Sequence, residues 1–114
     1  MNQIKYLLII SLCISCKMPD FESIQKEPKQ IQTILRANTN CEELIYINYT
    51  IENDVRTSAV FKLVGCPFEN YEDESDRLLG VLKGSVDYIC EIQSLNFQFV
   101  NKGIYKNKRY YKCE

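Results

Sequence analysis

Residues 41–66 read CEELIYINYTIENDVRTSAVFKLVGC and carry the strongest local signal in the chain. Leu44 to Ile51 is rich in isoleucine, tyrosine and threonine, and Val55 to Val64 in valine, threonine and phenylalanine; both compositions favour a pleated strand. Glu52-Asn53-Asp54 between them is a turn cluster, so the stretch predicts a β-hairpin. If Asn53 and Asp54 form a two-residue turn, opposed residue numbers sum to 107 and Tyr46 faces Phe61, Ile47 faces Val60 and Leu44 faces Leu63. Cys41 and Cys66 share that sum. They fall opposite each other at the open end of the hairpin, on the face of Ile45 and Val64, within reach of a disulfide. Closing a loop of that length stabilises by on the order of 3 kcal/mol.

Downstream, Glu69, Glu72, Asp73, Glu74 and Asp76 precede Leu78, Leu79, Val81 and Leu82. Carboxylates favour the positive end of a helix dipole, so a helix is predicted over 74–83, capped by Asp73 or Ser75 and stopped by Lys83 and Gly84. Next, Val86, Tyr88, Cys90 and Ile92 alternate, slip at Gln93-Ser94, and resume as Leu95, Phe97 and Phe99. Period two with one slip predicts strand, bulge or tight turn, strand. A helix continuing to Ile89 is the alternative, because Leu78, Leu82, Val86 and Ile89 share a helical face. The strand is preferred because two glycines weaken such a helix by up to about 1 kcal/mol each. Asn101-Lys102-Gly103 is a turn, and Ile104 to Cys113 returns as a last strand that brings Cys113 opposite residues 90 to 92, with Cys90 its natural partner.

Upstream, Ile31, Ile34 and Leu35 predict a short amphipathic helix over 29–37, after Pro28. Lys17 to Gln30 is polar, contains Pro19 and Pro28, and reads as a tether. A chain of 114 residues, 46% apolar and 25% charged, holds one small folded domain. The expectation is an α+β domain over 31–114: a small antiparallel sheet of four to five strands, one or two short helices and two disulfides.

At the amino end, Lys5 precedes Tyr6 to Ile14, an apolar run of about nine residues that ends at the small Ser15. A membrane-spanning helix takes roughly 20 apolar residues, so this run reads as a leader. Leu12-Cys13-Ile14-Ser15-Cys16-Lys17 resembles the relaxed lipobox of bacterial lipoproteins, over the first seventeen residues only; Cys13 stands where leucine is commonest in that family. The resemblance implies removal of residues 1–15 and lipidation of Cys16, with residues 16–30 as a lipidated tether, and localisation to the cell envelope, on an outer membrane facing the periplasm or the cell surface. Two acyl chains or more anchor a protein stably without spanning. Cleavage there leaves Cys41, Cys66, Cys90 and Cys113, an even set suited to an oxidising compartment. Cys13 and Cys16 also spell C-x-x-C, which a redox pair would use; its place at the end of the leader argues against that.

The chain has no histidine, which excludes Ser-His and Cys-His nucleophile pairs and histidine-ligated zinc. The acidic cluster at 69–76 lacks the ordered calcium loop and reads as a solvated helix start. No metal and no cofactor is implied. Asn48-Tyr49-Thr50 matches a glycosylation acceptor, but lies mid-strand. The last strand interleaves Lys102, Lys106, Lys108, Arg109 and Lys112 with Tyr105, Tyr110 and Tyr111. Lysines protect an edge strand from aggregation, and basic and aromatic side chains together also anchor interfaces. Tyr105, Lys108, Arg109, Tyr110 and Tyr111 are therefore the candidate partner-binding residues, facing a protein or an anionic envelope polymer. A net charge of −1 argues against nucleic acid. The expected function is a non-enzymatic, envelope-anchored binding or accessory module, with an inhibitor or immunity protein as one version. The alternatives are a carboxylate-dependent enzyme acting on envelope polymers and a secreted protein without lipid.

Overall fold

Two mirror-image turns set the strand layout. The backbones of Asn53 and Asp54 sit at φ 51° and 63°, and those of Lys102 and Gly103 at 48° and 81°, the conformation whose twist matches the strands it joins. The first joins β1 (Glu43–Glu52) to β2 (Val55–Val64), and the second joins β3 (Ser94–Asn101) to β4 (Ile104–Tyr110). The computed structural model describes residues 26–114, so the leader, Cys13, Cys16 and most of the expected tether lie outside the described residues.

The strands lie in the order β1-β2-β3-β4. Both hairpins are antiparallel, but β2 and β3 run parallel, from Ser58 beside Ser94 to Val64 beside Val100. The sheet is mixed, which corrects the wholly antiparallel expectation. The reason is the connection: α2 (Tyr71–Ser85) carries the chain back over one face before β3 begins, the crossover that parallel neighbours require.

In the first hairpin Tyr46 pairs with Phe61 and Leu44 with Leu63, as the 107 rule predicts, but Val60 pairs with Asn48 and not Ile47. Two register shifts flank the middle of the ladder, one between Thr50 and Ile51 and one between Tyr46 and Asn48. The first leaves Thr57 unmatched on β2 and the second leaves Ile47 unmatched on β1, so the slips cancel and the open end recovers its register. There the Cys41–Cys66 disulfide forms, with Cα atoms 3.9 Å apart. It does not lie on the outer face with Ile45 and Val64: Gly65, at φ 67°, turns the chain and Cys66 joins the core.

α1 is helical from residue 26 to 37 among the described residues, with Pro28 buried. The ordered domain therefore begins before residue 31, and the end of the expected tether is part of it. α2 starts earlier than predicted. Asn70 is its cap, with Oδ1 accepting from the backbone N–H of Glu72 and Asp73, while Glu72, Asp73 and Glu74 occupy the first turn. It stops at Ser85, and a 3-10 turn (Ile89–Glu91) stands where residues 86–92 were expected as strand. Val86, Ile89 and Ile92 are buried, a spacing of three that suits a tight helical turn better than a strand.

Both helices lie on one face of the sheet. Ile31 and Leu35 from α1, and Leu78, Leu79 and Leu82 from α2, pack on Leu44, Phe61, Leu63, Leu95, Phe97 and Phe99. The second disulfide, Cys90–Cys113, ties the 3-10 turn to the chain after β4, with Cα atoms 5.0 Å apart.

Candidate binding surface

A sheet has two edges, and this one treats them differently. Along β1 the main chain is occupied by α1: Arg36 donates from Nε and Nη2 to the Leu44 carbonyl at 3.2 and 3.0 Å, and the Tyr46 N–H donates to Gln32 Oε1 at 2.9 Å. Side chains from a covering helix are one way a protein closes an edge to further pairing. β4, at the other end of the order, has no strand beyond it among the described residues.

β4 divides the predicted residues between two faces. Lys106, Lys108 and Tyr110 pair with Phe99, Phe97 and Leu95 and so share the helix-covered face. Tyr105, Asn107 and Arg109 pair with Val100, Gln98 and Asn96 and share the open face. Tyr105 and Tyr111 are 56% and 60% exposed, and Arg109 Nη1 lies 3.5 Å from the Tyr111 hydroxyl. Tyr110 leaves the proposed surface: it is 4% exposed, packs edge-on to Phe97 and donates to Asp76 Oδ1 at 2.6 Å. Burial, and then the Asp76 carboxylate, push its phenol above the usual tyrosine range. Lys108 lies over the Tyr110 ring at 5.5 Å; Tyr110 is packing, while Lys108 is half-buried and keeps its charge on the strand. Asp76, read as part of a solvated acidic run, is the acceptor that holds β4 to α2.

Beside β4 on the helix side lies a feature that spacing did not reveal. Phe68, Tyr71, Phe99, Asn101, Ile104 and Lys106 line an open pocket of about 230 Å³, with Glu69 also at its wall. Phe68 meets Phe99 edge-on at 4.9 Å, and Lys106 stands over the Tyr71 ring at 5.5 Å. The pocket forms because the cap of α2 and the end of the β3–β4 hairpin arrive at one corner. Phe68 and Phe99 are 31 positions apart, too far for local periodicity to join them. Ile104, in the pocket wall, is 60% exposed.

A second cluster lies where α1 meets the sheet. Glu27 accepts from Arg56 Nε and Nη2 at 2.9 and 2.6 Å and from the Tyr49 hydroxyl at 2.6 Å. Arg56 lies over the Tyr88 ring at 4.4 Å. The Arg56 hydrogen bonds hold the Glu27 carboxyl below its ordinary range, and burial pushes the Tyr88 phenol up to about 12. The Tyr88 hydroxyl donates in turn to Gln30 Oε1 at 2.9 Å, so the cluster holds α1 to the first hairpin and to the 3-10 turn. Asn48 is exposed on β1, with Thr50 donating to its Oδ1 at 3.0 Å.

Comparison with protein-family models, with curated proteins and with solved structures finds no match in any of the three.

Proposed function

We propose that this chain is a small envelope lipoprotein, anchored through a lipidated Cys16 and acting as a non-enzymatic binding module whose contact surface is the β4 edge. The observation that carries the reading is the contrast between edges: β1 is tied to α1, while β4, with cations along it, has no strand beyond it among the described residues. Support for an exported location comes from the four cysteines of the described residues, all joined in two disulfides, the chemistry of an oxidising compartment. An inhibitor or immunity protein that docks this edge on a secreted hydrolase or toxin is the specific version that fits a small rigid domain on a tether.

The test takes the full chain, with its leader, expressed in a bacterium that lipidates exported proteins. Wild type partitions into detergent and Cys16→Ser into the aqueous phase; aqueous wild type removes the anchor. For the surface, the tagged chain is crosslinked in envelope extract, and Lys108→Glu with Arg109→Glu is expected to cut capture of its main partner at least fivefold. Equal capture by the charge-reversed chain removes β4 from the reading.

A further inference from the structure

We propose that β4 binds its partner by strand addition: an extended, acidic segment of another protein pairs with the β4 main chain and seats one apolar side chain in the pocket walled by Phe68, Tyr71, Phe99 and Ile104. The proposal rests on the reading of β4 as the contact surface and adds the mode of contact and the chemistry of the partner.

Main-chain geometry supplies the first step. In a two-residue hairpin the pair next to the turn exchanges both hydrogen bonds and the pattern then alternates. Asn101 with Ile104 is that pair, followed by Phe99 with Lys106, Phe97 with Lys108 and Leu95 with Tyr110. Tyr105, Asn107 and Arg109 therefore aim their N–H and C=O groups away from β3, and all three residues are exposed. Three consecutive outward donors and acceptors are the template that an added strand uses.

Charge selects the occupant. Residues 102–112 hold Lys102, Lys106, Lys108, Arg109 and Lys112 and not one carboxylate. A second copy pairing β4 to β4 would set these cations against their equals, and like charges facing across strands destabilise. An acidic strand turns the same row into cross-strand attraction. The pocket adds a register. Ile104 and Lys106 belong both to β4 and to the pocket wall, so a side chain on the helix side of an added strand comes down beside them. At about 230 Å³ the pocket is smaller than the roughly 300 Å³ where small-molecule sites begin, a size that suits one apolar side chain.

The probe is a synthetic decapeptide of alternating glutamate and threonine with a central phenylalanine, titrated by fluorescence anisotropy against the full chain with disulfides intact. Its counterpart with lysine for glutamate is expected to bind at least tenfold more weakly at low salt, with the gap narrowing as salt screens the charges. Single backbone N-methylations along the peptide are expected to cost at least tenfold at every second position and little between, a period that leaves the protein untouched and reports strand pairing alone. Asn107→Pro removes an outward N–H at a position where an edge strand tolerates proline, and is expected to lose the peptide. Equal binding of both charge forms, methylation effects without period two, or no saturable binding of the acidic peptide overturns the proposal. If charge reversal at Lys108 and Arg109 abolishes partner capture while Asn107→Pro, shown folded by its circular dichroism and absence of free thiols, retains it, strand addition fails and the β4 surface survives. Capture of anionic phospholipid vesicles in place of the peptide likewise overturns it.

Discussion

Glu27 joins α1 to both strands of a hairpin more than twenty residues away: it takes two hydrogen bonds from Arg56 of β2 and one from Tyr49 of β1. Its side chain and that of Arg56 are 20% and 23% exposed, so the pair is partly shielded from water and stronger than a surface ion pair. Because the folded carboxyl titrates below its ordinary value of 4.5, with the Arg56 hydrogen bonds the first cause, the folded state binds fewer protons here than the unfolded chain. The stabilisation is therefore full above the unfolded pKa and lost as pH falls through the folded one. Glu27→Gln is expected to lower the unfolding free energy by about 1–2 kcal/mol at pH 7, with the difference from wild type shrinking as pH drops below 4.5. Urea denaturation at stepped pH measures it, and a gap that does not close in acid would remove Glu27 as the titrating group. No reading of spacing could have found this contact, because Glu27 lay in a stretch whose prolines and charges looked like linker. The residue-scale signals that were legible were cysteines and turn formers, whose chemistry admits few partners.

At the scale of elements, legibility followed the strength of local rules. Asn53-Asp54 and Lys102-Gly103 mark two hairpins because asparagine, aspartate and glycine take most readily the left-handed backbone those turns require, and Lys102 takes it beside Gly103. The Cys41–Cys66 pairing survived two irregularities in the ladder only because they compensate; counting from the turn reached the right cysteines through a register that is interrupted on the way. α2 shows the opposite case. Its acidic first turn was visible, yet its cap is Asn70 and not Asp73 or Ser75, since Asn70 Oδ1 reaches two N–H groups while Ser75 turns inward and donates to the Tyr71 carbonyl at 2.7 Å. Asn70→Ala is accordingly expected to cost about 1 kcal/mol, and Asp73→Ala only a few tenths through the helix dipole. For a domain of this size 1 kcal/mol corresponds to a fall in Tm of roughly 4–8 °C, readable by calorimetry. A larger loss from Asp73→Ala than from Asn70→Ala would relocate the cap. Residues 86–92 mimic a strand because Val86, Tyr88, Cys90 and Ile92 alternate in sequence, while the core takes Val86, Ile89 and Ile92; which apolar residues a neighbouring layer covers is not written in local spacing.

For the molecule as a whole, the two disulfides divide the work. Cys41–Cys66 closes the open end of the first hairpin across 25 residues, and Cys90–Cys113 joins the 3-10 turn to the chain after β4 across 23. Each closure removes freedom from the unfolded chain worth roughly 3 kcal/mol. Small domains are stable by only about 5–15 kcal/mol in total, so losing both bridges removes a large share of whatever margin this one has. The order of importance for binding differs from that for stability. Among the described residues β4 is an edge strand with one strand neighbour, Tyr110 fixed to Asp76, and its far end held by Cys113; β2 has strands on both sides and the core beneath. Replacing Cys90 and Cys113 by serine is therefore expected to lower stability by about 3 kcal/mol and also to raise amide hydrogen exchange selectively in β4. Replacing Cys41 and Cys66 is expected to cost a similar amount while the added exchange appears in the first hairpin and α1. Hydrogen exchange with mass-spectrometric readout on the two variants, each with its remaining disulfide verified by thiol counting, decides it. Uniform loosening in both would mean that the bridges act only on the unfolded chain. Selective loosening of β4 would mean that the redox state of one bridge sets how well ordered the open edge is when a partner strand arrives.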